Sequence, residues 1–250
     1  MLTLVEGDQS YLDRSVPDPD TPIGREEAPS YKKFRYEFIM AYWIKYNGDM
    51  TGLQKNWKKF TSSIRDYGCF CFLDGKFIAE GRGTAKDLID QSCKNLHKCQ
   101  TCITMDFDQG LIDPTLDGDC DLTSQFSFNL TVTDLGPSIE CLNLSNSCKR
   151  ALCECDKRFA FELATTMDLW DARFKSENFS EEVRETECRS TGGGNNIGKI
   201  DKCCGIYPYR FPYHSMSGQR QCCGIKTYDL AGPKKCCRDN VAREFCPEEL

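Results

Sequence analysis

No apolar run in the 250 residues approaches the roughly 20 needed to span a bilayer, so no transmembrane segment is expected. A basic excess is also lacking: 32 Lys and Arg stand against 38 Asp and Glu. A net charge of −6 offers no electrostatic footprint for nucleic acid. The first five residues, Met1 to Val5, are too short for a signal-peptide core, and Glu6 and Asp8 follow them. No cysteine occurs before Cys69, yet the chain holds 18, close to the level of a disulfide scaffold. A reducing cytosol would leave most of them as thiols, so an oxidising compartment and a secreted, extracellular protein are expected, with its leader upstream of Met1. Asn-x-Ser/Thr triplets at Asn129, Asn143 and Asn178 are candidate glycosylation sites that fit this route.

Composition divides the chain. Residues 1–30 are acidic and proline-rich with few large apolar side chains, and read as a disordered arm. Residues 31–190 read as the main domain, 191–199 (TGGGNNIGK) as a Gly/Asn linker, and 200–250 as a cysteine-rich tail. In the main domain, Phe34, Phe38 and Tyr42 share one side of a first helical pattern. Leu53, Trp57, Phe60 and Ile64 mark a second, with Lys55, Lys58 and Lys59 elsewhere on it. Those lysines beside an apolar stripe are candidate contacts for an anionic membrane, although an ordinary amphipathic helix has the same pattern. A third helix over about 86–103 carries Ile89, Cys93, Leu96, Cys99 and Ile103 on one face. Phe126, Phe128, Leu130 and Val132 alternate as in a half-buried strand. A fourth helix over about 147–173 has Leu152, Cys155, Phe159, Leu163, Met167 and Trp170 on its buried face.

Two apparent motifs fail on chemistry. Gly193, Gly198 and Lys199 have phosphate-loop spacing, but Ile200 stands where a hydroxyl must hold magnesium. Asp117, Asp119 and Asp121 open like an EF-hand, but Leu122 replaces its glycine and Phe128 its final glutamate. The six aspartates from Asp106 to Asp121 read as a solvated acidic loop, with Asp117, Asp119 and Asp121 as weak calcium candidates beside Asp74.

The specific signal lies in the cysteines. YGCFCFLDG (67–75) is followed by DLIDQSCKNLHKC (87–99) and then by CLNLSNSCKRALCECD (141–156). Together they resemble secreted phospholipase A2, with its calcium loop, its D-x-C-C-x-x-H-D-x-C helix and its C-x6-C-x4-C-x-C-D helix. The resemblance covers roughly residues 34–190. It implies a mainly α, disulfide-stapled fold with two long antiparallel helices and a small β element, beside the small cysteine-rich tail. It also implies a pairing: Cys71 with Cys93, Cys99 with Cys155, Cys141 with Cys153, Cys120 with Cys148, and Cys69 with Cys188. One family bridge is missing at both ends, where Ser92 and Glu162 stand. Eight further cysteines, Cys102 and seven in the tail, can pair fully in an order the sequence leaves open. The tail's double cysteines and its repeated CCGI (203 and 222) are weakly similar to galaxin-type matrix proteins. A stapled cap on the main domain is an equal reading.

The resemblance also places the family's site. Its histidine activates water as general base, the following aspartate holds calcium, and an aspartate of the second helix orients the histidine. Counted from Asp90, Cys93 and Cys99, the general-base position is Leu96 and the calcium position is His97. Only the orienting carboxylate remains, as Asp156. Leu96 has no proton-accepting atom, and Phe72-Leu73-Asp74-Gly75 replaces a glycine-rich turn. The expectation is a phospholipase A2-like pseudoenzyme, similar to otoconins in lacking the catalytic pair. It would bind extracellular matrix, mineral or a phospholipid surface. Two alternatives remain. One is a calcium-dependent phospholipase A2 rebuilt around His97, cleaving the sn-2 ester. The other is a non-hydrolytic, toxin-like protein that perturbs membranes or binds a protein receptor.

Overall fold

The computed structural model describes residues 39, 42, 63–71, 83–122, 124–133, 136–175, 177–188 and 200–247. The acidic arm, the Gly/Asn linker, Lys55, Lys58, Lys59, Asp74 and most of the first two helical patterns lie outside the described residues.

Helix α1, Leu88–Asp108, starts at Asp87, whose side chain accepts the Asp90 N–H at 2.9 Å. Its buried stripe runs Ile89, Cys93, Leu96, Cys99 and Ile103, at helical spacing. The helix continues five residues past the expected end, to Asp108; Gln109 is its C-cap, and Gly110 follows in the left-handed region (φ +70°). A single short turn of helix, α2 (Pro114–Asp117), follows Asp113. Strands β1 (Phe128–Thr133) and β2 (Gly136–Cys141) pair antiparallel, with Leu130 opposite Ile139 and Phe128 opposite Cys141. Leu130 and Ile139 are buried, while Asn129 and Glu140 face water.

Helix α3, Cys148–Thr166, is capped by Ser147, whose hydroxyl accepts the Arg150 N–H at 3.1 Å. It buries Leu152, Cys155, Phe159 and Leu163 but ends seven residues before the expected boundary at 173. Two 3-10 turns follow, Met167–Leu169 and Ala172–Phe174. Trp170 therefore lies beyond the helix but still packs against the core, and its indole N–H reaches the Ser63 carbonyl at 3.0 Å. Helix α4, Glu181–Glu187, closes this part of the chain.

Helices α1 and α3 pack as an antiparallel pair: Cys99 is bridged to Cys155, while Asn95, one turn earlier, bonds Glu162, nearly two turns later, at 3.0 Å. The two positions that lack the family's cysteines are filled separately. The Ser92 hydroxyl donates to the Leu88 carbonyl, and Glu162 pairs with Arg158 at 2.6 Å. Further disulfides join Cys69 to Cys188, Cys71 to Cys93, Cys120 to Cys148 and Cys141 to Cys153. The last one ties β2 to α3.

The tail folds as three two-stranded hairpins: β3–β4 (Lys202–Cys204, Phe211–Tyr213), β5–β6 (Arg220–Cys223, Lys226–Asp229) and β7–β8 (Lys235–Cys236, Ala242–Arg243). Consecutive strand residues point to opposite faces, so each double cysteine can bridge two different neighbours. Cys203 joins Cys102 on α1 and Cys204 joins Cys222. Cys223 then joins Cys236, and Cys237 joins Cys246. The repeated glycine has a steric reason. Gly205 and Gly224 both have positive φ, and a Cβ on them would meet the Tyr209 and Asn240 carbonyl oxygens at 2.9 and 2.2 Å.

The acidic stretch needs correction. Asp106 is buried on α1, where Arg210 grips its carboxylate at 2.5 and 2.8 Å and the Tyr207 hydroxyl donates to it at 2.8 Å. Asp117 accepts the Lys149 N–H at 2.8 Å. Neither belongs to a solvated loop; each is a docking point.

Candidate functional site

The segment 63–71 is held against α1 by one buried carboxylate. Asp90 accepts the N–H of Cys69 at 3.0 Å, of Phe70 at 2.7 Å and of Lys86 at 2.9 Å. Burial pushes its pKa above the usual carboxylate value, against the pull of those three donors. The approach is possible because residue 68 is glycine: it sits at φ +59°, and a Cβ there would lie 2.4 Å from the Asp90 carboxyl carbon. The neighbouring Tyr67 is fully buried. Its hydroxyl donates to Asp87 and accepts the Asp171 N–H at 3.2 Å. Burial, and then the bond to Asp87, hold that phenol well above its ordinary pKa. From the other side Arg184 donates to the Gly68 and Asp66 carbonyls at 3.1 and 3.0 Å.

Leu96 is buried in the apolar core of α1 and Asp156 is buried on α3. His97 is half-buried, and its Nε2 lies 2.7 Å from the Phe70 carbonyl oxygen. A carbonyl oxygen can only accept, so Nε2 carries the proton and donates. The imidazole thus clamps the loop at the residue between Cys69 and Cys71. Lys94 adds a second hold, with Nζ 4.7 Å from the centre of the Phe70 ring and donating to the Gly83 carbonyl at 2.6 Å.

Calcium takes several hard oxygen ligands, with carboxylates prominent among them. The described residues do not fit it here. His97 presents nitrogen where the resemblance expects an aspartate, and the Phe70 carbonyl is occupied by that imidazole. Among the described residues, no three His, Cys, Asp or Glu side chains are grouped so as to hold a metal ion. Asp117, Asp119 and Asp121 therefore form no cation cluster, and Asp117 instead pairs with Lys149. No helix among the described residues is long and apolar enough to cross a membrane.

The candidate glycosylation residues differ in surroundings. Asn129 is exposed on β1. Asn143 uses its Oδ1 to accept the Ser127 N–H at 2.8 Å, and Asn178 donates through Nδ2 to the Ala172 carbonyl at 2.9 Å. The sequence did not reveal Gly68 and Asp90 as a contacting pair, nor Asp106, Tyr207 and Arg210 as a cluster. A glycine between Tyr67 and Cys69 was the one local hint of the first. Nothing local announces the second.

A cross-linked helix pair with a carboxylate-anchored loop at one end defines a disulfide-framed helical scaffold. The chain is 31% identical over 118 residues to "Phospholipase A2, membrane associated" of Cavia porcellus, covering 47% of this chain and 67% of that protein. It is 33% identical over 125 residues to "Acidic phospholipase A2 EC-I" of Echis carinatus, covering 49% and 74%. With "Phospholipase A2 homolog 1" of Bothrops atrox the figures are 32% over 124 residues, 50% and 72%. No family model matches the sequence. The chain belongs to the phospholipase A2 family.

Proposed function

We propose that this chain is a secreted, extracellular phospholipase A2-like protein that keeps the family frame for binding and does not hydrolyse phospholipid esters. The single observation that carries the reading is the His97–Phe70 bond beside a buried Leu96. The general-base position has no proton acceptor. The neighbouring position holds the loop by a hydrogen bond in place of a carboxylate. The oxyanion of an attacked ester would then meet no divalent charge, and that stabilisation is usually the largest single contribution to such a reaction. The protein would serve as a binding or scaffold module for a phospholipid surface, extracellular matrix or mineral. The 18 cysteines and the family membership support an extracellular setting.

The test is release of sn-2 fatty acid from mixed phospholipid vesicles by the purified chain, with calcium and with a chelator. No release is expected in either condition. Leu96→His alone is expected to leave turnover absent, because it supplies a base without a counter-ion for the oxyanion. Turnover by the unmodified chain that chelation abolishes would refute the reading.

A glycan is expected on Asn129, exposed on β1, rather than on Asn143, which is only partly exposed, or Asn178, which is exposed but already donates its Nδ2 to the Ala172 carbonyl. Treatment of the secreted protein with a peptide N-glycosidase should lower its mass, and Asn129→Gln should abolish that change. A shift that persists in Asn129→Gln and disappears in Asn143→Gln would reverse the assignment.

A further inference from the structure

The tail is tied together at one end. Cys204 ends β3 and is bridged to Cys222 in β5. Cys223 ends β5 and is bridged to Cys236, the last residue of β7. Cys237, which opens the next turn, is bridged to Cys246. These links gather the turns that follow β3, β5 and β7. The Cys204 sulfur lies 3.4 Å from the Lys226 carbonyl oxygen, and Gly224 approaches Asn240 so closely that a Cβ would meet its carbonyl oxygen at 2.2 Å.

That end carries some of the most exposed large apolar side chains among the described residues. Ile206 is 70% exposed, Ile225 61%, Val241 44% and Phe245, beside Cys246, 74%. Ile206 and Ile225 are the isoleucines of the two CCGI repeats, each placed outward after a glycine that only positive φ and a close backbone contact explain. Single exposed apolar residues are ordinary, but four gathered on disulfide-locked turns mark a contact surface. Exposed cations flank them: Lys226 follows Ile225, and Arg238 follows Cys237. Of the nearby acids among the described residues, Asp239 is paired with Arg243 at 2.6 Å, which leaves Glu244; Glu248 and Glu249 follow Pro247 in the sequence.

We propose that this end of the tail is a docking surface for anionic phospholipid bilayers. Ile206, Ile225 and Phe245 enter the boundary between headgroups and acyl chains, and Lys226 and Arg238 meet lipid phosphates. Separate exposed turns suit a bilayer, which accepts apolar tips at any lateral spacing, and buried apolar area plus cationic attraction sets the strength of such binding. The disulfides hold the tips in place, so little ordering cost opposes insertion. This inference rests on the reading of the chain as a surface-binding protein and is independent of its catalytic silence.

The experiment uses the full chain and sedimentation with two kinds of vesicle, phosphatidylcholine alone and phosphatidylcholine mixed with phosphatidylserine. Binding is expected to the mixed vesicles and to weaken with salt. The double variant Ile225→Asp with Phe245→Asp is expected to bind at least about tenfold more weakly, because each change removes an inserting side chain and adds a repelled charge. Ile206→Ser, a milder change at an exposed site, should move in the same direction. Lys226→Glu with Arg238→Glu should erase the preference for the anionic vesicles. An unchanged near-ultraviolet dichroism spectrum certifies each variant as folded. Absence of vesicle binding would overturn the proposal. Binding that these variants leave unaltered would do so too, as would self-association that the same variants abolish without any lipid binding. Fatty-acid release in the same tubes would refute the catalytic reading alone.

Discussion

Gly68→Ala is expected to abolish accumulation of folded protein or, where folded protein is recovered, to lower its stability by at least about 5 kcal/mol. Two costs combine. An L-residue at φ +59° costs roughly 1–2 kcal/mol relative to glycine. The added Cβ would also stand 2.4 Å from the Asp90 carboxyl carbon, so the carboxylate must leave its place. That breaks charge-assisted bonds from Cys69, Phe70 and Lys86, each worth about 1.5–3 kcal/mol. Burial makes the loss worse, because the displaced N–H groups have little water to turn to. Chemical denaturation of the secreted protein measures the effect. A double-mutant cycle separates this cause from a generic loop defect: in an Asp90→Ala background the collision is gone, so Gly68→Ala should cost only its backbone strain. Equal costs in both backgrounds would show that Asp90 is not what glycine accommodates.

The same pair illustrates what the sequence made legible. Helix faces were readable because 3.6-residue spacing puts Ile89, Cys93, Leu96, Cys99 and Ile103 on one side, and all five are buried. The hairpin was readable from alternation, since Leu130 packs inward while Asn129 faces out. Cys69 and Cys188 lie 119 residues apart, and no local rule joins them; that pair came from the family resemblance. Periodicity also could not locate the end of α3. Met167 and Trp170 continue the apolar spacing after the backbone has tightened into a 3-10 turn, where the Trp170 indole finds the Ser63 carbonyl. In the sequence His97 stands at the calcium position and offers itself as the base of a rebuilt site. Its real partner is a backbone carbonyl 27 residues away, which no side-chain pattern can announce. Backbone acceptors are sequence-blind, so this contact was the least visible.

Asp106 carries the second large effect, and it shows why the tail behaves as part of the main body. The first turn of the tail reaches α1 through Arg210 and Tyr207, both on the Asp106 carboxylate. Arg158 of α3 donates to the Pro208 carbonyl at 3.1 Å and stacks on the Tyr209 ring at 4.4 Å. Burial, and then Asp106, hold the Tyr207 phenol above its ordinary pKa, so it stays a donor throughout the physiological range. Asp106→Leu removes the acceptor and leaves a largely buried guanidinium with the Gly205 carbonyl alone. An uncompensated buried charge costs about 3–5 kcal/mol, which the tail's own small hairpins cannot absorb. The Cys102–Cys203 bridge keeps the tail tethered, so the expected outcome is undocking without loss. Amide exchange should rise across 205–213, while the hairpin β5–β6 stays protected. Replacing all three polar partners, Asp106→Leu with Arg210→Met and Tyr207→Phe, should recover most of the loss, because an apolar cluster of similar volume needs no counter-ion and leaves no hydroxyl without an acceptor. Slow exchange across 205–213 in Asp106→Leu would mean that the disulfide and the Arg158 contacts suffice to hold the tail.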